Sequence, residues 1–191
     1  LISAFVSMLN QTILNTALPA IIKGLNITET TAQWLITGFM LVNGIMIPLT
    51  AFLMDKYSTR HLYIFSMAIF LIGSIIAAFS PTFTILMISR IIQAIGAGIL
   101  LPLMQFTVFT LFPAEQRGFA MGLAGVVVQS APAIGPTLTG LFVDLFSWRM
   151  PFYLVSAIAA VAFILGFFFV ENNTKTKDIV LDKISVVYST S

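Results

Sequence analysis

Arg90 is the most expensive residue of this chain. It stands about six residues into a long apolar run, Thr84 to Phe112, which places it roughly 9 Å below the nearer membrane surface if that run is a helix. Arginine at depth in hydrocarbon costs roughly 3 kcal/mol even on lenient insertion scales, so the side chain is expected to face a bundle interior or a wet cavity. The competing reading is that it snorkels to the headgroups. Gln93 shares its helix face, and Gln105 continues the polar line inward. A second polar group, Asn10, Gln11, Thr12 and Asn15, interrupts the first apolar run, and Gln129 interrupts the fifth. An arginine reaching inward by ~6–7 Å could approach Asn10 at roughly mid-depth. Such amides and a cation can line a solute cavity, or they can act as interhelical hydrogen-bond glue worth about 0.6 kcal/mol per bond. The two roles are compatible.

Composition excludes much else. Hydrophobic residues make up 59% of the 191 and charged residues 8%, with a mean hydropathy of +1.03, more apolar surface than one soluble core could hide. There is no cysteine, and the single histidine, His61, cannot build a zinc site. No metal, cofactor or catalytic residue is therefore expected: no Ser/His/Asp set and no paired intramembrane carboxylates support enzyme chemistry. A formal charge of +2, scattered along the chain, gives no reason to expect nucleic acid as a partner. The expected partner is the lipid bilayer.

The elements that must position these side chains are six spans, at about 1–22, 32–54, 62–79, 84–112, 119–145 and 151–170, each near the ~20 residues that cross a bilayer as a helix. Pro151 marks a favoured first helical position. Lys56, Arg60, Arg117, Lys175, Lys177 and Lys183 fall on one side of this topology, against Lys23 and Arg149 on the other. The positive-inside rule thus predicts a cytoplasmic N-terminus in a multi-pass protein of a cell membrane. Trp34 and Trp148, near outer span ends, are expected to anchor at headgroups. The segment 171–191 is polar and reads as a cytoplasmic lead toward a further helix. The chain opens in an apolar run without Met, so both ends look like cuts in a longer protein.

Two turns repeat. Asp55-Lys56-Tyr-Ser-Thr-Arg60 and Asp144-Leu-Phe-Ser-Trp-Arg149, 89 positions apart, share the order Asp, x, aromatic, Ser, x, Arg. An odd number of spans separates them, so the copies face opposite sides, as two inverted three-helix repeats require. Small residues at helical spacing (Gly96 and Gly98 in span four; Gly122, Gly125, Gly135 and Gly140 in span five) read first as close helix packing, and Gly135-Pro136 as a place where a helix can bend.

These residues resemble the major facilitator superfamily, specifically its drug:proton antiporter branch with fourteen spans, the type that includes multidrug and lincomycin-resistance exporters. Ala51-x-x-x-Asp55-Lys56-x-Ser58-Thr59-Arg60 is similar to the loop motif after span two, departing at Ala51, Ser58 and Thr59. Leu86-x-x-x-Arg90-x-x-Gln93-Ala94-x-Gly96 resembles the span-four motif, and Gly135-Pro136-x-x-Thr139-Gly140 the span-five antiporter motif. Asn10-x-Thr12-x-x-Asn15-x-Ala17-Leu18-Pro19 is similar to the span-one motif of that branch, whose first residue is Asp. The resemblance implies the N-terminal six-helix bundle of an exporter of drugs or other amphipathic small molecules, working by alternating access with an absent C-terminal bundle. It also implies protons as coupling ions, although Asn10 cannot titrate. Asn10, Asn15, Arg90, Gln93, Gln105 and Gln129 would line the substrate or proton pathway. Asp55, Lys56 and Arg60 would latch the cytoplasmic side, with Asp144 and Arg149 as the outer counterpart. The alternatives are a same-fold exporter of a metabolite or lipid, and a non-transporting membrane fragment.

Overall fold

The computed structural model describes residues 1–170; the polar segment 171–191 lies outside the described residues. Six helices follow one another: α1 (Ile2–Leu25), α2 (Glu29–Lys56), α3 (Thr59–Ala78), α4 (Phe83–Leu111), α5 (Ala114–Leu145) and α6 (Met150–Phe169). All six are long and apolar enough to cross a membrane. The described part is an all-α membrane bundle.

Local chemistry sets the helix ends. Thr28, Ser58 and Thr82 are N-caps whose hydroxyls accept from the backbone N–H three residues on. Asn26 ends α1 in the left-handed conformation (φ 52°), with its N–H returned to the Ile22 carbonyl. The Thr28 cap starts α2 at Glu29 rather than at Ala32. Pro113 sets the entry of α5, which therefore takes in the Ala114–Arg117 stretch that the sequence reads as a loop. Successive helices alternate in direction. Leu1, the α2–α3 turn, the α4–α5 turn and Phe169 gather at one end of the bundle, the amino end, and the other turns at the far end.

The packing carries an internal symmetry. α1 packs most on α5, and α4 packs correspondingly on α2; α3 and α6 pack on each other. Exchanging α1–α3 with α4–α6 maps these pairings onto themselves, the signature of two inverted three-helix repeats. The symmetry is imperfect, because α3 lies far more extensively on α4 than α1 does on α6. α1 and α4 are the most enclosed helices. α2 and α5 lie on opposite flanks and expose large apolar side chains such as Met40, Ile45, Phe52, Leu123, Val126 and Leu141.

Among the described residues, three apolar clusters fill the interior: Met46, Leu62, Ile99 and Leu103 pack between α2, α3 and α4, and the other two succeed one another along the bundle. Toward the amino end lie Val6, Leu9, Met67, Phe70, Ala94 and Ala97; toward the far end lie Leu14, Ile21, Leu35, Ala77, Leu86 and Phe152. Trp148 belongs to the far-end cluster. It is buried, edge-on to Phe152, and it fills the space that a Cβ on Gly24 would need. The headgroup role expected for Trp148 is thus corrected: its indole is part of the core, because glycine at position 24 lets α1 admit it. Trp34 is exposed.

Candidate binding site at mid-bundle

Between the amino-end and far-end clusters lies a polar layer, visible on α1, α3 and α4. On α1 Asn10 lies between Leu9 and Leu14. On α3 Ser74 lies between Phe70 and Ala77, and on α4 Arg90 and Gln93 lie between Leu86 and Ala94. All four polar residues are essentially inaccessible to solvent; Arg90 is 1% exposed. Snorkelling is therefore ruled out for Arg90 in this conformation.

Gln93 is the hub. Its Oε1 accepts from Arg90 Nη1 at 2.7 Å and from Asn10 Nδ2 at 3.3 Å. Its Nε2 donates to Ser74 Oγ at 2.9 Å, and Ser74 Oγ donates to the Phe70 carbonyl at 2.8 Å. That relay fixes the amide with its oxygen toward the cation. The guanidinium also lies over the Phe39 ring, 4.3 Å from its centroid. Asn10 and Arg90, 80 positions apart, are thus joined through one shared acceptor rather than directly. Five buried side-chain polar atoms have no partner among the described residues, and Arg90 Nε and Asn10 Oδ1 of this layer are two of them; the others are Ser7 Oγ, Asn43 Oδ1 and Arg149 Nε.

Close backbone approach makes the layer possible. A Cβ on Gly73 would stand 2.8 Å from the Gln93 backbone N and 2.9 Å from the Ser89 carbonyl, so only glycine lets α3 come near enough for Ser74 to reach Gln93. Ser74, Gly73 and Phe39 are missed by the sequence reading. The adjacent Gly73-Ser74 pair inside an apolar span is the signal that was available.

The other expected site residues fall elsewhere. Asn15 joins Arg90, Gln11, Phe39 and Met40 in a small cleft of about 10 Å³ between α1 and α2. Gln105 and Gln129 are exposed on α4 and α5, away from the Arg90 layer. Gly96 meets α3 at Ser66 and Phe70, Gly98 meets α2 at Met46 and Asn43, and Gly135 meets α1 at Thr12. Gly122, Gly125 and Gly140 have open space where a Cβ would stand, so close packing does not explain them here. Pro136 is exposed, and α5 continues as helix through it. A larger cavity of about 260 Å³ opens at the amino end beside Ser3, Tyr63, Leu103 and Met104. There Tyr63 donates to the Ala162 carbonyl at 3.0 Å and shares a 2.6 Å hydrogen bond with Ser3.

The doubled turn has matched contacts. Arg60 donates to the Phe167 carbonyl at 3.0 Å, and Arg149 donates to the Ser80 carbonyl at 3.0 Å. Lys56 lies over the Phe52 ring, while Asp55 and Asp144 are exposed. Among the described residues, no group of three His, Cys, Asp or Glu side chains is placed to hold a metal ion.

A bundle of apolar helices related by an inverted three-helix repeat is the arrangement on which many secondary-transporter folds are built. The Major Facilitator Superfamily family model matches residues 1–185. The chain belongs to that superfamily and is a multi-pass membrane protein. It is 50% identical over its whole length to an uncharacterized MFS-type transporter of Bacillus subtilis, YcnB, covering 40% of that protein. It is 40% identical over its whole length to the lincomycin resistance protein LmrB of the same organism, again covering 40%. It is 34% identical over 80% of its length to a probable multidrug resistance protein of Escherichia coli, EmrY, covering 30%. The chain thus spans less than half the length of these curated relatives.

Proposed function

We propose that this chain forms the N-terminal bundle of an exporter of drugs or other amphipathic small molecules, with its N-terminus in the cytoplasm. The full-length protein would work by alternating access, rocking this bundle against a second one around a site near mid-membrane. The observation that carries the reading is the buried Arg90–Gln93–Asn10–Ser74 layer, a costly polar set between two apolar clusters. Likeness to proteins named for lincomycin and multidrug resistance supports amphipathic solutes as cargo. The exposed apolar flanks of α2 and α5 suit a second bundle as partner.

Energy from protons is part of the proposal, with the titrating acid outside the core of this half. All four carboxylates of the described residues, Glu29, Asp55, Glu115 and Asp144, lie within two residues of a helix end. The test is efflux. Cells making the full-length protein are expected to tolerate more of an amphipathic antibiotic, and proteoliposomes to move such a solute when a pH gradient is imposed. Unchanged susceptibility together with no flux of any solute tried would refute an exporter. Flux indifferent to the gradient would refute the coupling alone.

A further inference from the structure

We infer that the Arg90 guanidinium receives an acidic group, a carboxylate or an equivalent monoanion, carried by the transported molecule and entering through the cleft between α1 and α2. This rests on the exporter reading above and narrows its substrate class.

The argument begins with charge. Arg90 is 1% exposed, and the groups it meets are neutral: Gln93, Asn10 by way of Gln93, and the Phe39 ring. A buried cation without a counter-ion is an unstable arrangement, and proteins normally resolve it by pairing. The described residues offer no resolution, because Glu29, Asp55, Glu115 and Asp144 are all exposed at helix ends. The missing negative charge has to come from outside this bundle.

Geometry gives it a route. Arg90 lines a cleft of about 10 Å³, room for one water-sized group, and its Nε has no partner. Gln11 and Asn15 line the same opening and bring amide donors suited to an anion. Phe39 and Met40 supply the apolar part of the wall, and Met40 is 56% exposed. The cleft as it stands admits one carboxylate oxygen, while the rest of the head and the apolar body of an amphipathic molecule lie outside it along the adaptable Met40 side. A cationic head would meet like charge there, and a neutral head would leave the guanidinium uncompensated.

The test uses the full-length protein in proteoliposomes and three amphiphiles that share one aromatic body and differ in the head: carboxylate, carboxamide or ammonium. The carboxylate is expected to move at least about tenfold faster than the ammonium. Arg90→Gln should erase that advantage, the carboxylate-to-carboxamide flux ratio falling to about one. Asn10→Asp supplies a different check. Asn10 and Arg90 donate to the same Gln93 oxygen, so an acid at position 10 stands close enough to compensate the guanidinium internally. It should suppress carboxylate flux and favour the ammonium. This variant decides the matter if Arg90→Gln fails to insert. Preference for the ammonium by the unsubstituted protein, an equal loss of all three solutes in Arg90→Gln, or an unchanged ranking in Asn10→Asp would overturn the inference while leaving the exporter standing. No movement of any of the three would refute the exporter reading, and this inference with it.

Discussion

Arg60 and Arg149 occupy equivalent places in the internal repeat and make the same bond at opposite ends of the α3–α6 pair. Arg60, near the start of α3, donates to the carbonyl of Phe167 near the end of α6. Arg149, at the start of α6, donates to the carbonyl of Ser80 just past the end of α3. Each arginine thus supplies a donor and a positive charge where the neighbouring helix leaves carbonyls unpaired and its dipole is negative. The doubled turn has a structural reason in this half: it closes the pair α3–α6 reciprocally, which two inverted copies do with one sequence.

Removing either arginine should therefore loosen the pair from one end. Arg149→Ala is expected to cost about 2 kcal/mol, since its bond is partly buried and its guanidinium also lies over Trp148. Arg60→Ala is expected to cost about 1 kcal/mol, its bond being more exposed. The two ends stand roughly 30 Å apart along α3, so the double variant should show the sum of the single effects. Thermal unfolding of the detergent-solubilised protein checks this. A double variant no less stable than the unsubstituted protein would show that these bonds contribute nothing.

Asp55 is left over from this arrangement. Its neighbours in the turn are engaged, Lys56 on Phe52 and Arg60 on Phe167, whereas the Asp55 carboxylate is exposed and has no partner among the described residues. We therefore propose Asp55 as the group of the turn that latches onto the rest of the full-length protein. Asp55→Asn is expected to abolish transport while leaving membrane insertion and abundance intact. Efflux at the unsubstituted level would remove Asp55 from the latch.

The six helices were legible because apolar runs of span length leave little else possible, and the inverted repeat because two turns kept three identities. Arg90 and Gln93 were legible too, since a cation deep inside an apolar run is costly against lipid, although snorkelling stood as the competing reading until its burial was seen. The partners were harder. Ser74 looks like any small polar residue in an apolar span, and its role depends on Gly73 admitting α4, a fact of interhelical distance rather than of spacing along the chain. Trp148 misled for a related reason. Its position near a span end suits a headgroup anchor, but the pocket that takes it is made by Gly24 on α1, 124 positions earlier.

Glycines that look alike in sequence should respond differently to alanine. A Cβ on Gly166 would run into the Tyr63 ring, which must then swing away and release both Ser3 and the Ala162 carbonyl. Gly166→Ala is expected to cost about 1–3 kcal/mol. At Gly140 nothing lies within 4 Å of the place a Cβ would take, so Gly140→Ala should be neutral, or stabilising by up to about 1 kcal/mol through helix propensity. Unfolding midpoints of the two variants, measured side by side, make the comparison. Equal shifts would mean that the Tyr63 contact imposes no constraint.

Gln93 offers the sharpest separation of stability from transport. Gln93→Leu fills a similar volume but strips Arg90 Nη1 and Asn10 Nδ2 of the oxygen they share, leaving a buried cation without that acceptor. The expected loss is about 3 kcal/mol or more. Gln93→Glu keeps an oxygen where Arg90 Nη1 now donates at 2.7 Å and adds the negative charge that this layer lacks; Ser74 Oγ can rotate to donate to it instead of to the Phe70 carbonyl. The glutamate variant should unfold at or above the temperature of the unsubstituted protein, yet fail to move an anionic amphiphile, because its guanidinium is already compensated. Unfolding curves and proteoliposome flux, measured on the same preparations, check both halves. A leucine variant as stable as the unsubstituted protein would show that Arg90 finds water in the membrane, and the mid-bundle layer would then lose its standing as a dry binding site.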